Sequence, residues 1–237
     1  MTITSKDNDK LKLVRRLAER KHREREGLFA TEGEDLLGAG RAAGLEPEML
    51  LTEAGAGLGG DEVEPALLTS ASTLGSGSRA IAVWRQPWVE AVGPLCVFLN
   101  GVRDPGNVGA IIRAADALGA RSVALDPDAA DPFSPKAVRA SMGSIFNVGL
   151  ARCAVGDTPA PRAGMGAHGG AWPPSAVPGT LCLGAERDGL AGETAAACAE
   201  IWTIPVAGVA ESLGVAAAAA IALERISSAA AEAEGIK

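Results

Sequence analysis

Two polar side chains that could do chemistry lie in the stretch DPGNVGAIIRAADALGA, residues 104–120. Asn107 stands where a helix is predicted to begin, and its side-chain oxygen can accept from the first backbone N–H groups of that helix. Arg113 follows six residues later, among small apolar residues. A guanidinium stays charged at ordinary pH, so Arg113 needs an anionic partner if it lies near the core. For a lone arginine, the simpler interpretation is a surface residue whose head reaches water.

Two later stretches offer further polar groups in comparable places. In LCLGAERDGL a predicted strand ends at Gly184, with Glu186 just beyond it, and in IPVAGVAESLGV a strand and a loop lead to Ser212 at a helix start. Loops that follow the C-terminal ends of strands form the ligand crevice of an open α/β sheet. The three stretches are therefore predicted to converge on one crevice. It offers asparagine, arginine, glutamate, serine and backbone amides, but no set of metal ligands.

The second half of the chain supplies elements that could position these groups. It alternates predicted strands and helices: LCVFLN, a helix over 105–118, SVALD, TLCLGAE, IWTIP and a long helix over 211–234. This alternation, with a continuously apolar first strand, is typical of a parallel α/β sheet that is covered on both faces. Residues 156–179 hold eleven glycines and prolines, so an irregular loop is predicted there.

The first half is predicted to form a smaller α/β domain. DKLKLVRRLAERKHREREG has the spacing of one helix ended by Gly27, and EDLLGAGRAAG that of a weaker helix. Strands are predicted in LFATEG, EMLLTE, PALLTS and RAIAVWRQ. PWVEAVGP, with two prolines and a glycine, indicates a boundary near residue 90, which gives domains over 1–90 and 91–237.

Charge is distributed unevenly along the chain. The formal net charge is −7, yet residues 10–25 hold eight lysines and arginines against two glutamates. Such a stretch could follow the phosphates of a nucleic acid. Taken alone, a solvated helix face with i,i+4 ion pairs is the more common explanation.

Several classes of function lack support. No window approaches the ~18 consecutive apolar residues of a membrane span, and the polar, basic start does not resemble a signal peptide. The four cysteines (Cys96, Cys153, Cys182, Cys198) stand far apart without CxxC spacing, which favours reduced, packed thiols in a cytoplasmic protein. The matches to GxGxxG lack the strand and helix of a dinucleotide site. AESLG is only weakly similar to a nucleophile elbow, because no histidine follows Ser212.

Three blocks, taken in order, resemble the signature motifs of the SpoU (TrmH) family of RNA ribose 2′-O-methyltransferases. The first motif is matched by Asn107, Gly109, Ala110, Ile111 and Arg113. The second is matched by Gly184, Glu186 and Gly189. The third is matched by Ile204, Pro205, Ser212, Leu213 and Val215. RASMGSIF, residues 139–146, resembles the family segment between the motifs, and GLFATEGEDLL resembles the small substrate-binding domain that often precedes the catalytic one.

The resemblance implies a fold, a cofactor and partners. The implied fold is α/β, with a C-terminal parallel sheet tied into a deep trefoil knot and preceded by a small α/β substrate-binding domain. The knot would form the S-adenosylmethionine pocket of a homodimer whose active site is shared across the interface. The implied activity is methylation of a ribose 2′-hydroxyl in RNA in the cytoplasm, with ribosomal RNA favoured over tRNA, and it needs neither a metal nor a membrane.

The resemblance also assigns roles to residues. Its catalytic set is Asn107, Arg113, Glu186 and Ser212. Arg113 would act on the 2′-hydroxyl, by orienting it or by helping to remove its proton, and we favour a grip on the neighbouring phosphate because a guanidinium keeps its proton at ordinary pH. Asn107 would hold Glu186. The cofactor would contact the backbone at Leu183, Gly184, Ile204, Val206 and Leu213. RNA would contact Arg15, Arg16, Arg20, Lys21, Arg23 and Arg139, and would stack on Phe29.

Two departures from the family pattern keep alternatives open. Gly214 stands where the family usually has asparagine, so a slower enzyme, or an RNA-binding relative without catalysis, is a second hypothesis. Residues 156–179 are also less regular than the strand and helix of relatives. The motifs of the cofactor pocket are intact, which favours the enzyme hypothesis.

Overall fold

The computed structural model describes residues 2–73, 77–168, 177–209 and 212–233. The chain forms two compact units. The first comprises Met1–Gln86 and Asp131–Phe146, and the second comprises Pro87–Ala130 and Asn147–Lys237. A single boundary near residue 90 is predicted from the sequence, whereas the chain contributes to the first unit twice.

Up to residue 86 the elements alternate in type. In chain order they are α1 (Asp9–Arg16), α2 (Arg20–Glu26), β1 (Leu28–Glu32), α3 (Glu34–Ala42), β2 (Met49–Glu53), β3 (Asp61–Val63), α4 (Pro65–Ala71) and β4 (Ala80–Arg85). The strands form a mixed sheet in the order β1-β4-β2-β3, in which only β2 and β3 are parallel.

The rest of the chain contains the larger sheet. Its elements are β5 (Cys96–Asn100), α5 (Pro105–Ala117), β6 (Ser122–Leu125), α6 (Pro135–Ser141), β7 (Gly149–Arg152), β8 (Arg162–Met165), β9 (Thr180–Gly184), α7 (Gly192–Ala196), β10 (Glu200–Trp202) and α8 (Val215–Ala233). Six strands pair in the order β10-β8-β9-β5-β6-β7, and every pairing is parallel. The predicted parallel α/β sheet is therefore confirmed, whereas the trefoil knot stays a prediction.

The predicted single helix over residues 9–27 is wrong, because α1 and α2 are separate helices. Between them, the carbonyl oxygens of Leu17 and Ala18 accept hydrogen bonds from Arg23 Nη1 at 2.7 and 2.8 Å. These bonds satisfy carbonyls that a helix end leaves without a backbone partner. Gly27 ends α2 in the left-handed conformation, with φ at 64°, as expected of a glycine in that position.

The stretch PALLTS is a helix, α4, rather than the predicted strand. Pro65 occupies the first helical turn, where its missing N–H costs nothing and its fixed φ suits the helix. Leu68 and Ala71 are both buried and lie three residues apart, which is the spacing of one helix face. The predicted strand is therefore wrong because it overlooks the preference of proline for the first turn of a helix.

The core of the first unit depends on aromatic rings from both of its segments. Phe29 lies 4.8 Å from Phe133 between ring centroids, and Trp84 lies 4.8 Å from Phe146. Gly40 makes room for this cluster, since a Cβ there would lie 2.8 Å from Trp84 Cζ2. Residues 131–146 are therefore part of this core.

Strand β8 lies inside residues 156–179, so the predicted irregular loop is wrong for residues 162–165. Gly164 is compatible with the strand because the space a side chain would fill is taken: a Cβ there would lie 3.1 Å from Cys198 Sγ. Residues 169–176 of the same stretch lie outside the described residues.

None of the helices in the described part of the chain combines the length and the apolar character needed to cross a bilayer.

Candidate active site

A pocket lies at the C-terminal ends of the central strands of the second unit. Its volume is about 140 Å³, and it is lined in part by Glu186 and Arg187 after β9, by Met165 at the end of β8 and by Gly166 and Ala167 after it. The sequence-predicted cofactor residues all line this one cavity: Leu183, Gly184, Ile204, Val206 and Leu213. Its position at the strand ends is the expected ligand crevice of an open α/β sheet.

A tight turn after β9 forms one wall of the pocket. The backbones of Ala185 and Gly189 exchange two hydrogen bonds of 2.9 Å, and Gly189 adopts a φ of 67°. A Cβ at Gly184 would overlap the backbone of Gly189. Glycine is thus required at both ends of this turn, which presents Glu186 and Arg187 to the cavity.

Asn107 reaches the tip of that turn. Its Nδ2 donates a hydrogen bond to Oε1 of Glu186, so the first turn of α5 holds the pocket wall. The predicted capping role of Asn107 is wrong: Asp104 is the N-cap, and its Oδ1 accepts from the backbone N–H groups of Gly106 at 2.6 Å and Asn107 at 3.2 Å. With the helix end already satisfied by Asp104, the side chain of Asn107 is available for Glu186.

Arg113 lies on α5 with its side chain exposed. It makes no hydrogen bond or ion pair with any residue that the structure describes. It does not line the cavity of its own chain, and neither does Asn107. The structure therefore joins Asn107 to Glu186, and it places Glu186 and Ser212 in the lining of one cavity. Arg113, further along the helix that carries Asn107, presents a guanidinium without a partner among the described residues.

The segment before α8 carries the third predicted motif. Ser212 and Leu213 line the pocket, and Gly214 directly precedes the helix. A Cβ added at Gly214 would meet no heavy atom within 4 Å, and its φ lies outside the left-handed region. Neither backbone conformation nor packing among the described residues requires glycine there.

Two of the predicted RNA contacts are corrected by burial. Arg23 is 3% exposed, and its Nε and Nη2 donate to Oδ2 of Asp131 at 2.9 and 2.7 Å. The ring of Phe29 is 1% exposed inside the aromatic core. A guanidinium already paired in the core cannot grip a phosphate, and a buried ring cannot stack on a base.

The other predicted RNA contacts lie at or near the surface, but most of them have partners. Arg15 donates to the carbonyl of Lys6 and to Ser70. Arg20 pairs with Glu24 at 2.9 Å, and Lys21 pairs with Glu19 at 2.8 Å. The hydrogen bond from Lys21 lowers the pKa of Glu19. Within the described part of the chain, Arg16 and Arg139 are exposed and form no ion pair.

The four cysteines are free thiols on one side of the second unit's sheet. Burial raises the pKa of Cys96, and it raises the pKa of Cys153 to about 11. A hydrogen bond shared with Cys198 raises the pKa of Cys182 and lowers that of Cys198. No group of three or more histidine, cysteine or acidic side chains among the described residues could hold a metal ion. The cysteines serve as packing residues.

Sequence reasoning missed several residues at this site. Asp104, Asn100 and Asp126 are polar residues at or just after strand ends, and that position in the predicted parallel sheet is the signal that could have identified them. The sequence analysis does not identify Met165, Gly166 and Ala167 as pocket residues, because the glycines and prolines of that stretch predict an irregular loop.

The chain is similar in sequence to known families and proteins. The model of the SpoU rRNA Methylase family matches residues 94–158, and that of the MRM3-like substrate binding domain matches residues 8–83. A 23S rRNA (uridine(2479)-2′-O)-methyltransferase of Streptomyces viridochromogenes is 37% identical over 150 residues, which are 56% of this chain and 52% of that protein. The 23S rRNA (guanosine(2553)-2′-O)-methyltransferase RlmP of Bacillus subtilis is 28% identical over 63% of this chain and 64% of its own length. The matches thus span between about half and two thirds of these relatives.

Several solved structures are similar to this chain over almost its whole length. An RNA methyltransferase of the TrmH family from Porphyromonas gingivalis is 33% identical, with a TM-score of 0.80 over 93% of this chain and 97% of that one. The AdoMet-bound rRNA methyltransferase of Sinorhizobium meliloti is 28% identical, with a TM-score of 0.83 over 95% of this chain and 97% of that one. With these matches and the site geometry, the chain belongs to the SpoU/TrmH family of RNA 2′-O-methyltransferases and carries an MRM3-like substrate-binding domain ahead of its SpoU domain.

Proposed function

We propose that this protein is an S-adenosylmethionine-dependent enzyme that methylates a ribose 2′-hydroxyl in ribosomal RNA. The observation that carries the proposal is the pocket at the sheet's C-terminal edge, where one cavity is lined by Leu183, Gly184, Ile204, Val206 and Leu213. Glu186 lies in the same wall and is held by Asn107. The rRNA methyltransferases among its relatives support the choice of substrate.

The residues of the pocket fit such a cofactor. The apolar side chains of Leu183, Ile204 and Val206 can cover an adenine ring, and Gly184 leaves the wall free of a side chain. The backbone N–H groups of Ile204, Val206 and Leu213 donate no hydrogen bond within the part of the chain that the structure describes. These three donors are therefore available to a ligand. When bound, S-adenosylmethionine supplies a methyl group on a cationic sulfur.

The chain's own residues would prepare the nucleophile. Arg113 cannot serve as a base, because a guanidinium keeps its proton at ordinary pH, but its free guanidinium can grip the phosphate beside the target ribose. That grip would orient the 2′-hydroxyl, and the phosphate would assist loss of its proton. Asn107 would keep Glu186 and the turn in place, and Ser212 would line the catalytic end. Positioning of this kind needs no metal.

We extend the proposal to a homodimer whose active sites are shared. Arg113 does not line the cavity of its own chain, which supports a site completed by a second copy. The trefoil knot belongs to the same proposal, as does a division of labour in which residues 1–90 bind RNA and residues 91–237 catalyse. An enzyme acting on bacterial ribosomal RNA would work in the cytoplasm. Light scattering during gel filtration tests the dimer, and a monomeric mass would contradict it.

The central test is calorimetry with S-adenosylmethionine, followed by transfer of labelled methyl groups to RNA from a deletion strain. We expect stoichiometric binding and labelling of ribosomal RNA at a 2′-O-methyl position that the strain lacks. Label that enters tRNA alone would favour the tRNA alternative. A chain that binds no S-adenosylmethionine would contradict the proposal.

A second candidate is an RNA-binding relative with little or no catalysis, and Gly214 favours it. The residue lacks the side chain that the family usually places there, although the structure has room for one. Binding of cofactor and RNA without turnover would support this candidate. Gly214→Asn separates the two: a gain in turnover would indicate a slow enzyme, and continued inactivity would indicate a binding protein.

A further inference from the structure

A polar residue that the proposed mechanism does not use lies beside the pocket wall. Asn100 is the last residue of β5 and is in register with Gly184 of β9. Its Nδ2 donates to Oδ2 of Asp126 at 2.7 Å, and its Oδ1 accepts from the backbone N–H of Ala191 at 2.6 Å. Asn100 thus joins the end of β6 to the residue that follows the pocket turn.

Asp126 determines which way the amide of Asn100 faces. Its Oδ2 also accepts from the backbone N–H of Gly101 at 2.9 Å, and its Oδ1 accepts from those of Asp128 and Ala129 at 3.1 and 2.8 Å. A carboxylate engaged by four donors can only accept. The amide of Asn100 must therefore present its NH₂ group to Asp126, which leaves its oxygen directed to Ala191.

The two contacts hold the far end of the turn that carries Glu186. The near end is fixed by pairing of Gly184 with β5, and the tip is fixed by Asn107. Beyond Gly189, Ala191 is exposed and is held to the sheet by Asn100. Without that bond, the chain could move Glu186 and Arg187 out of the cavity wall.

We propose that Asn100, oriented by Asp126, is a positioning residue that holds the 185–191 turn in the conformation the cofactor pocket requires. This inference rests on the proposed function for the identity of the ligand. The placement of the turn itself follows from the hydrogen bonds alone.

The test uses three variants of the full-length protein. Asn100→Leu keeps the size of the side chain and removes both hydrogen bonds. Asn100→Asp keeps the acceptor for Ala191 but sets two carboxylates against each other. Combining Asn100→Asp with Asp126→Asn restores one donor and one acceptor between the two side chains in the reverse direction, although the new NH₂ group also replaces the oxygen that accepts from Gly101.

Affinity for S-adenosylmethionine and amide hydrogen exchange in the 185–191 turn are the readouts. We expect Asn100→Leu to weaken cofactor binding about tenfold, the factor that corresponds to a lost pair of ordinary hydrogen bonds. Exchange in the turn should become faster. Asn100→Asp should behave similarly, and the reversed pair should recover part of the affinity and of the protection.

Ser122→Ala is the matched control. Ser122 is buried at the opposite end of β6, where its hydroxyl donates to the carbonyl of Val92 at 2.7 Å and accepts from the N–H of Val92 at 3.0 Å. Its loss should lower Tm about as much as the loss of Asn100 while leaving cofactor affinity and turn exchange unchanged. If Asn100→Leu matched this control in affinity and exchange, the inference would be overturned. Wild-type protein that binds no S-adenosylmethionine would contradict the proposed function, and turn exchange would still decide the role of Asn100.

Discussion

Basic side chains are used differently in the two units. In the first unit Arg23 is buried against Asp131, and exposed Arg20 and Lys21 are paired with neighbouring glutamates. In the second unit three exposed arginines carry no hydrogen bond or ion pair among the described residues, and one of them, Arg187, lines the pocket: Arg103, Arg113 and Arg187. The first unit has the denser positive charge along the chain, but most of that charge is paired, and Arg16 and Arg139 are its exposed arginines that form no ion pair among the described residues. Unpaired guanidinium groups, rather than a local excess of positive charge in the sequence, therefore indicate where an anionic ligand can bind.

The largest expected effect is that of Arg113→Ala, which removes an unpaired guanidinium. We expect the methylation rate to fall about 100- to 1000-fold, the range observed when one preorganised donor at a reacting centre is lost. Affinity for S-adenosylmethionine should be unchanged, because Arg113 does not line the pocket. Single-turnover methylation and calorimetry measure the two quantities. Arg121→Ala, at an exposed arginine before β6, is the control and should stay fully active; an equally active Arg113→Ala would refute the assignment.

Next in size is Arg23→Ala, which acts on folding. Removing this partner leaves Asp131 as an unpaired charge that is 6% exposed, so the free energy of unfolding should fall by about 3–5 kcal/mol. Urea unfolding followed by tryptophan fluorescence measures the loss. Arg20→Ala, at an exposed pair, should change it by less than about 1 kcal/mol.

The double variant Arg23→Met with Asp131→Leu provides a second check on that pair. Replacing both charges with apolar side chains should recover part of the stability, since neither charge is then left uncompensated, while the carbonyls of Leu17 and Ala18 still lack the bonds from Arg23. Equal losses for Arg23→Ala and Arg20→Ala would show that burial does not separate these two arginines.

The smallest expected effect concerns RNA binding by the first unit. Arg139→Ala removes an unpaired exposed charge, so RNA affinity should fall severalfold and the salt dependence of binding should lose about one phosphate contact. Arg20→Ala should have a smaller effect, because Glu24 already neutralises that guanidinium. Filter binding over a range of salt concentrations measures both. A larger loss at Arg20 would contradict the expectation that an unpaired guanidinium contributes more to RNA binding than a paired one.

Sequence reasoning succeeded where one strong local signal decides the structure. The apolar run of β5, the helix after it and the strand that ends at Gly184 were predicted, because a parallel sheet buries both faces and sets its polar groups at the strand ends. The same logic predicted that the three motif stretches converge on one crevice, whereas the resemblance to the SpoU family assigned the individual pocket residues. It failed for PALLTS, where a proline at the first turn favours a helix, and for β8, whose glycines accommodate close packing rather than mark a loop.

The remaining differences come from contacts between residues that are distant in sequence. No residue near Arg23 in the sequence indicates that its guanidinium will be buried against Asp131, more than a hundred positions away. Phe29 looks like an exposed stacking ring until Phe133 joins it in the core. Asn107 was expected to cap a helix whose end Asp104 already satisfies. Such partners depend on the tertiary fold, which local patterns do not report.

The contribution of residues 131–146 to the first unit has a consequence for biosynthesis. The first unit's sheet is synthesised early, but its aromatic core lacks Phe133 and Phe146 until residues 87–130 of the second unit have also been made. The core of the first unit therefore cannot close until residue 146 has been translated, and a chain truncated before residue 131 would leave that core open.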